Sequence, residues 1–148
     1  AVQSLDGEIT IIEQDRVSFS VFLPNFLVPG PLCYVPYPTD IFVTVNSQLE
    51  CEAFKYSVLG SMSSGTIAAD DDKAKENKRA RAEWSCCLGE SAYQICAAKH
   101  TEGLKGSQWD VVVLGEHTLF WLRETGALRT QKRLDYNPVA MLPYPTGA

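Results

Sequence analysis

The chain has 148 residues, of which 45% are hydrophobic and 21% are charged, and its formal net charge is −5 at pH 7. This is the composition of one globular domain with enough apolar material for a core. The acidic balance argues against a nucleic-acid binder with a broad basic face, and no apolar run approaches the roughly 20 residues of a membrane-spanning helix. The chain carries neither an initiator Met nor a signal-peptide pattern, and we expect it to be an excerpt of a longer protein.

In chain order, the hydrophobic pattern is almost entirely that of β-strands. After the turn signal Asp6-Gly7, Val17, Phe19 and Val21 alternate with serines, which is typical of a strand with one buried face. Three prolines in Pro24–Pro31 predict an apolar connector rather than a central strand. The predicted strands are Glu8–Gln14, Arg16–Leu23, Leu32–Val35, Ile41–Asn46, Leu49–Leu59, Trp84–Leu88, Tyr93–Lys99, Trp109–Leu114, Thr118–Arg123, Leu128–Leu134 and Val139–Leu142.

The spacing of these strands indicates a repeated unit. Strands that follow a short polar turn open at Glu8, Leu49 and Thr118, which lie 41 and 69 residues apart. A period of about 40–45 residues with four strands per unit is typical of β-propeller blades. The second interval is longer because residues 60–83 form an insertion. We therefore predict an all-β fold of about two and a half four-stranded antiparallel blades, with a two-sheet antiparallel sandwich as the alternative.

The insertion differs in composition from the rest of the chain. Gly60–Thr66 is rich in glycine and serine, and Asp70–Arg81 holds four acidic and five basic residues. This composition predicts a long, polar, flexible loop. The alternative is a basic cluster that docks on a membrane or a partner, although the neighbouring acids weaken its field. That cluster would consist of Lys73, Lys75, Lys78, Arg79 and Arg81.

The search for chemistry in the sequence finds no catalytic, cofactor or metal site. No serine lies in a Gly-x-Ser-x-Gly motif, and His100 and His117 are not at ligand spacing from the cysteines. The five cysteines fit neither a disulfide framework nor a zinc ribbon, because their number is odd and Cys86 and Cys87 are adjacent. Reduced thiols in a reducing compartment are therefore expected.

The remaining predictions concern surfaces and packing. Arg129, Gln131 and Arg133 alternate along the last full strand, and Arg129 and Arg133 are the candidates for contact with an acidic partner. The alternative is a solvated edge strand whose charges discourage edge pairing. The sequence also predicts Trp109 and Trp121 to be largely buried and His117 to lie in an exposed turn. Glu50 and Glu52 share one strand face, as residues on solvent-exposed strands do.

Several segments, in this order and at these distances, resemble a known family. The segments are Phe22–Leu32, Trp84 with Leu88-Gly89-Glu90 and Ile95-Cys96, Val113–Glu116, and Lys132–Pro138 leading to Leu142-Pro143-Tyr144. Together they are similar to the N-terminal β-propeller of the Bardet–Biedl syndrome protein nine family, the parathyroid-hormone-responsive B1 proteins. The resemblance covers Asp6 to Tyr144, and the insertion at 60–83 departs from it in length and composition.

The resemblance implies a seven-bladed propeller of which this chain is a part. Residues 1–23 would end one blade, 31–59 with about 84–88 would form the second, 91–134 the third, and 136–148 would start the next. If 1–148 is produced alone, we expect it to self-associate through its open ends.

The same resemblance implies a non-enzymatic scaffold subunit of the BBSome, without cofactor or nucleic acid. The BBSome is a coat-like complex that carries membrane proteins to and from cilia or flagella. The implied partners are its other propeller and tetratricopeptide-repeat subunits and, through the complex, membrane-protein cargo and an Arf-like GTPase. The implied location is cytoplasmic, at the cilium or flagellum and its base, peripheral to the membrane through the complex. The alternative is a cargo- or peptide-binding propeller module outside the BBSome.

Overall fold

The computed structural model describes residues 1–63, 80–99 and 109–144, and within them it contains eleven strands and one helix. The elements are β1 (Val2–Gln3), β2 (Glu8–Glu13), β3 (Arg16–Phe22), β4 (Leu27–Val35), β5 (Ile41–Asn46), β6 (Glu50–Lys55), α1 (Tyr56–Ser63), β7 (Trp84–Cys87), β8 (Ala92–Lys99), β9 (Trp109–Gly115), β10 (Thr118–Arg123) and β11 (Leu128–Arg133).

The strands form three antiparallel sheets in which neighbours along the chain are neighbours in space. The first sheet is β1-β2-β3, the second is β4-β5-β6-β7 and the third is β8-β9-β10-β11. Every pairing is antiparallel. The alternating and β-branched patterns in the sequence favour this all-β arrangement, because such side chains pack well on a pleated, half-buried surface.

Two apolar cores hold the three sheets face to face. Ile9 and Val21 of the first sheet pack with Phe42 and Phe54 of the second. The opposite face of the second sheet packs on the third sheet through a larger cluster, whose strand members are Val35, Ile41, Val43, Val45, Cys51, Ala53, Ala92, Ile95, Val111, Val113, Phe120 and Leu122. All six residues of β5 are buried, because a sheet covers each of its two faces.

The prediction of a connector at Pro24–Pro31 is wrong from Leu27 onward, whereas its exclusion of a central strand is confirmed. β4 begins at Leu27 and continues through Pro29 and Pro31 to Val35. It lies at the edge of the second sheet, where proline does not break a ladder on both sides, and its register with β5 shifts between Leu27 and Leu32.

The prediction of one strand over Leu49–Leu59 is also wrong beyond Lys55. The chain turns into α1 at Tyr56, and this helix contacts β3 and β6. Leu59, on this helix, is fully buried in the core between the first two sheets.

Most of the flexible loop predicted at 60–83 lies outside the described residues, which omit 64–79. That range includes Lys73, Lys75, Lys78 and Arg79 of the candidate basic cluster, while Arg81 is exposed. The described ends of the insertion are ordered against the sheets. Residues 60–63 belong to α1, and the Ala80 N–H donates to Phe22 O.

The last predicted strand, Val139–Leu142, is not present as a strand. The segment pairs with no neighbouring strand, and the Gln94 side chain holds it at Met141 through two hydrogen bonds. Nε2 of Gln94 donates to Met141 O, and Oε1 accepts from Met141 N, both at 2.8 Å. One amide side chain thus replaces a sheet partner at this point.

The tryptophans are less buried than predicted. Trp109 and Trp121 are both half-buried. Trp109 is the first residue of β9, and Trp121 lies in β10, next to the edge strand β11. His117 lies in the exposed turn between β9 and β10, as predicted.

Candidate interaction surfaces

The candidate Arg129 is engaged within the chain. Its Nη2 atom lies 3.2 Å from Oδ1 of Asp110, a carboxylate that is almost fully buried on β9. The contact is an ion pair without hydrogen-bond alignment. Because an unpaired buried charge is costly, Arg129 compensates Asp110 before it is available to any partner.

A bulge interrupts the alternation of Arg129, Gln131 and Arg133 that the sequence predicts along one face of β11. The register between β10 and β11 shifts at Trp121 and Leu122, and Arg129 falls in that irregularity while Arg133 pairs normally with Thr118. In such a bulge the extra residue is unpaired, and its side chain does not follow the alternation between the two faces of the strand. Arg133 lies exposed on the edge strand, and its role in binding stays a prediction.

A contact between the second and third sheets centres on Trp84, for which the sequence predicts a strand but no contact. Its indole Nε1 donates to the backbone oxygen of Glu124, in the β10–β11 turn, at 2.9 Å. Thr39 in the β4–β5 turn donates through Oγ1 to Oε2 of Glu124 at 2.6 Å. Gly126 packs against the indole ring so closely that a Cβ there would lie 2.5 Å from Cδ2. The local sequence signal for this contact is Gly126, which follows Glu124 in the same turn.

A carboxylate is buried between the first and second sheets, contrary to the expectation of a solvent-exposed face. Glu52 is 4% exposed, and Asn25 Nδ2 donates to its Oε1 at 3.0 Å. Its Oε2 is buried without a hydrogen bond from the described residues. Burial raises the pKa of Glu52 above its ordinary value, because desolvation disfavours the charged form.

The cysteines are free thiols that mostly serve as small core residues. Cys51 is fully buried, and burial raises its pKa. Burial also raises the pKa of Cys33 to about 12. Thiols with raised pKa values are poor nucleophiles and poor metal ligands, because both roles need the thiolate. Within the described parts of the chain, His, Cys, Asp and Glu side chains form no group of three or more that could hold a metal ion.

Of the two histidines, His117 lies within the described residues. His100 lies outside the described residues, and the turn of His117 is held by Glu90, whose Oε1 accepts from the N–H groups of His117 and Thr118. None of the helical structure in the described ranges is long and apolar enough to span a membrane.

Antiparallel sheets of consecutive strands, stacked face to face around apolar cores, define this molecule as part of a β-propeller. Two crystal structures of BBS1N in complex with ARL6DN, one soaked with mercury and one with lead, have the same fold. They superpose with TM-scores of 0.52 and 0.53 at 14% sequence identity, covering 92% and 90% of this chain and 36% and 38% of the matched chains.

The chain belongs to the PTHB1 N-terminal family, whose model matches residues 1–148. It is 41% identical to Protein PTHB1 of Mus musculus and 38% identical to Protein PTHB1 of Homo sapiens, over 97% of this chain in each case. A Caenorhabditis elegans homologue is 32% identical over 97% of the chain. The chain spans 16% of the length of these relatives.

Proposed function

We propose that this chain is a non-enzymatic scaffold segment of a BBSome subunit, and that it supports coat-like trafficking of membrane proteins to and from cilia or flagella. The observation that carries the proposal is the family match over all 148 residues together with close identity to PTHB1 relatives. In this role, the segment acts through the rest of its subunit and through the other propeller and tetratricopeptide-repeat subunits.

The geometry of the described residues supports a scaffold. Three sheets are locked together by two continuous cores, and the edge strand β11 is exposed along its whole length. A rigid stack of this kind holds folded partners at fixed positions without any chemistry of its own. The related fold of BBS1N is described in complex with ARL6DN. For the present chain, we propose that an Arf-like GTPase and membrane cargo are reached through the assembled complex, at the ciliary base and membrane.

Affinity purification of the full-length protein from ciliated cells tests this function. We expect a stoichiometric set of BBSome subunits to co-purify, and to be lost when residues 1–148 are deleted from the full-length chain. A single membrane receptor that co-purifies without the other subunits would contradict the scaffold. That outcome would instead favour a propeller that binds cargo or peptides directly.

A further inference from the structure

A cleft opens between the second and third sheets, at the end of the molecule where the β4–β5 and β10–β11 turns meet. Its volume is about 360 Å³, which is within the range of sites that hold small ligands or one or two side chains. The buried side chain of Ile41 and the half-buried ring of Trp84 give it apolar walls. Lys55, Glu83 and Glu124 line it with charge.

The walls of the cleft are fixed before any ligand arrives. Trp84 donates to the Glu124 backbone, Thr39 donates to the Glu124 carboxylate, and Gly126 covers part of the indole ring. These contacts join turns from two different sheets. Because the site is preorganised, binding requires little ordering of its own side chains.

The charged side chains that line the cleft carry a net negative charge, and one of its carboxylates is held only by an exposed ion pair. Two carboxylates, those of Glu83 and Glu124, and one ammonium group, that of Lys55, line the cleft. Lys55 Nζ lies 3.4 Å from Glu83 Oε1, and the two side chains are 46% and 49% exposed. An ion pair this exposed contributes little free energy, so an incoming cation can replace Lys55 at Glu83 without a large loss.

We propose that this cleft binds an arginine side chain presented by an extended segment of a protein partner. A guanidinium is planar, stacks on an indole ring and pairs with carboxylates through a fixed fork of donors, and it loses less hydration than an ammonium. Within one small volume, the cleft offers two carboxylates and the part of the Trp84 ring that Gly126 and the core leave uncovered. This inference names a surface of the proposed scaffold and therefore rests on the proposed function.

Site-specific crosslinking in the full-length protein tests the cleft. Thr125 lines it and is exposed, so Thr125→p-benzoylphenylalanine places a photoreactive group at its mouth. After irradiation in ciliated cells, mass spectrometry identifies the attached peptide, which we expect to contain arginine at the crosslink. The peptide is then synthesised with arginine and with citrulline, its neutral isostere. The citrulline form should bind the purified protein about tenfold more weakly, the scale of one lost charge-assisted hydrogen bond.

Paired charge variants provide the control. Glu83→Gln with Glu124→Gln should reduce the crosslink by about fivefold to tenfold, and the new amide oxygen at position 124 can still accept from Thr39. Asp15→Asn with Asp135→Asn removes the same charge at exposed positions elsewhere and should leave the crosslink intact.

Three results would overturn the proposal: a crosslinked peptide without arginine, a yield that both double variants leave unchanged, or no crosslink although the BBSome subunits co-purify. An arginine peptide crosslinked in the absence of those subunits would overturn the scaffold function and leave the cleft standing.

Discussion

At position 126 the chain has room for a hydrogen atom but not for a methyl group. Gly126 has φ +82°, and an added Cβ would lie 2.5 Å from Cδ2 of the Trp84 ring. We expect Gly126→Ala to lower the free energy of unfolding by about 2–4 kcal/mol, because backbone strain and overpacking add. Denaturant unfolding of the full-length protein, followed by tryptophan fluorescence, measures the loss.

Gly89 is a matched control for this substitution. Its φ of +73° is similar, but nothing lies within 4 Å of the position of its Cβ. Gly89→Ala should therefore lower the free energy of unfolding only through the strain of placing alanine at positive φ, about 1 kcal/mol. Equal losses at the two positions would show that the Trp84 contact contributes nothing to stability.

Glu52 makes stability depend on pH in a direction opposite to that of an ordinary paired carboxylate. Burial raises its pKa in the folded state above the ordinary value of 4.5, so the folded protein binds the proton more tightly than the unfolded chain. Stability from this group is therefore present at low pH. It is lost as pH rises from 4.5 through the raised folded pKa.

The variant Glu52→Gln isolates this effect because glutamine is neutral at every pH and keeps an acceptor for Asn25. We expect the variant to gain stability relative to the parent as pH rises, with the difference levelling off above the folded pKa. Thermal unfolding of both proteins across a pH series gives the difference directly. A constant difference between about pH 4 and pH 8 would contradict a raised pKa.

The helix α1 is the element whose existence depends most on tertiary contacts. Leu59 is fully buried among residues of the first two sheets, whereas Val58 beside it is 39% exposed. Leu59→Ala should cost about 2–4 kcal/mol of unfolding free energy, and Val58→Ala less than about 1 kcal/mol. Denaturant unfolding of the two variants in the full-length protein makes the comparison. Similar losses would mean that α1 does not anchor through Leu59.

At the level of elements, the sequence predicted most strands because period-two alternation is a local signal. Thr118–Arg123 is β10 as predicted, and the adjacent predicted strands β2 and β3 pair as a hairpin with positive φ at Gln14 and Asp15. The failures are at places where tertiary context overrides local pattern. α1 forms where a strand was predicted, and its Leu59 packs in the core between the first two sheets. β4 includes prolines because it lies at a sheet edge.

The candidate surfaces were harder to predict than the strands, because they depend on which faces meet. Alternation placed Glu52 on a strand face, but only the stacking of the first sheet on the second shows that this face is buried. The cleft between sheets joins Thr39, Trp84 and Glu124, which are up to 85 residues apart in the sequence. No local pattern links residues at such separations.

For the molecule as a whole, stacked sheets bury the faces between them and leave the outer faces uncovered in this chain. Val2 and Phe22 are exposed on the first sheet, and Val139, Leu142 and Tyr144 are exposed in the final segment. Val139 is 91% exposed and Leu142 is 86% exposed. Apolar side chains in this number on an incomplete propeller favour association.

We therefore expect residues 1–148, when produced alone, to self-associate in a concentration-dependent manner. Light scattering over a dilution series measures the mass. Val139→Ser with Leu142→Ser should shift the association to higher concentration, because it removes apolar surface without touching the cores between sheets. The same paired substitution to Thr is the control, since it retains more apolar surface and should shift the association less. A chain that stays monomeric throughout the series and unfolds cooperatively would show that its outer faces are stable in water.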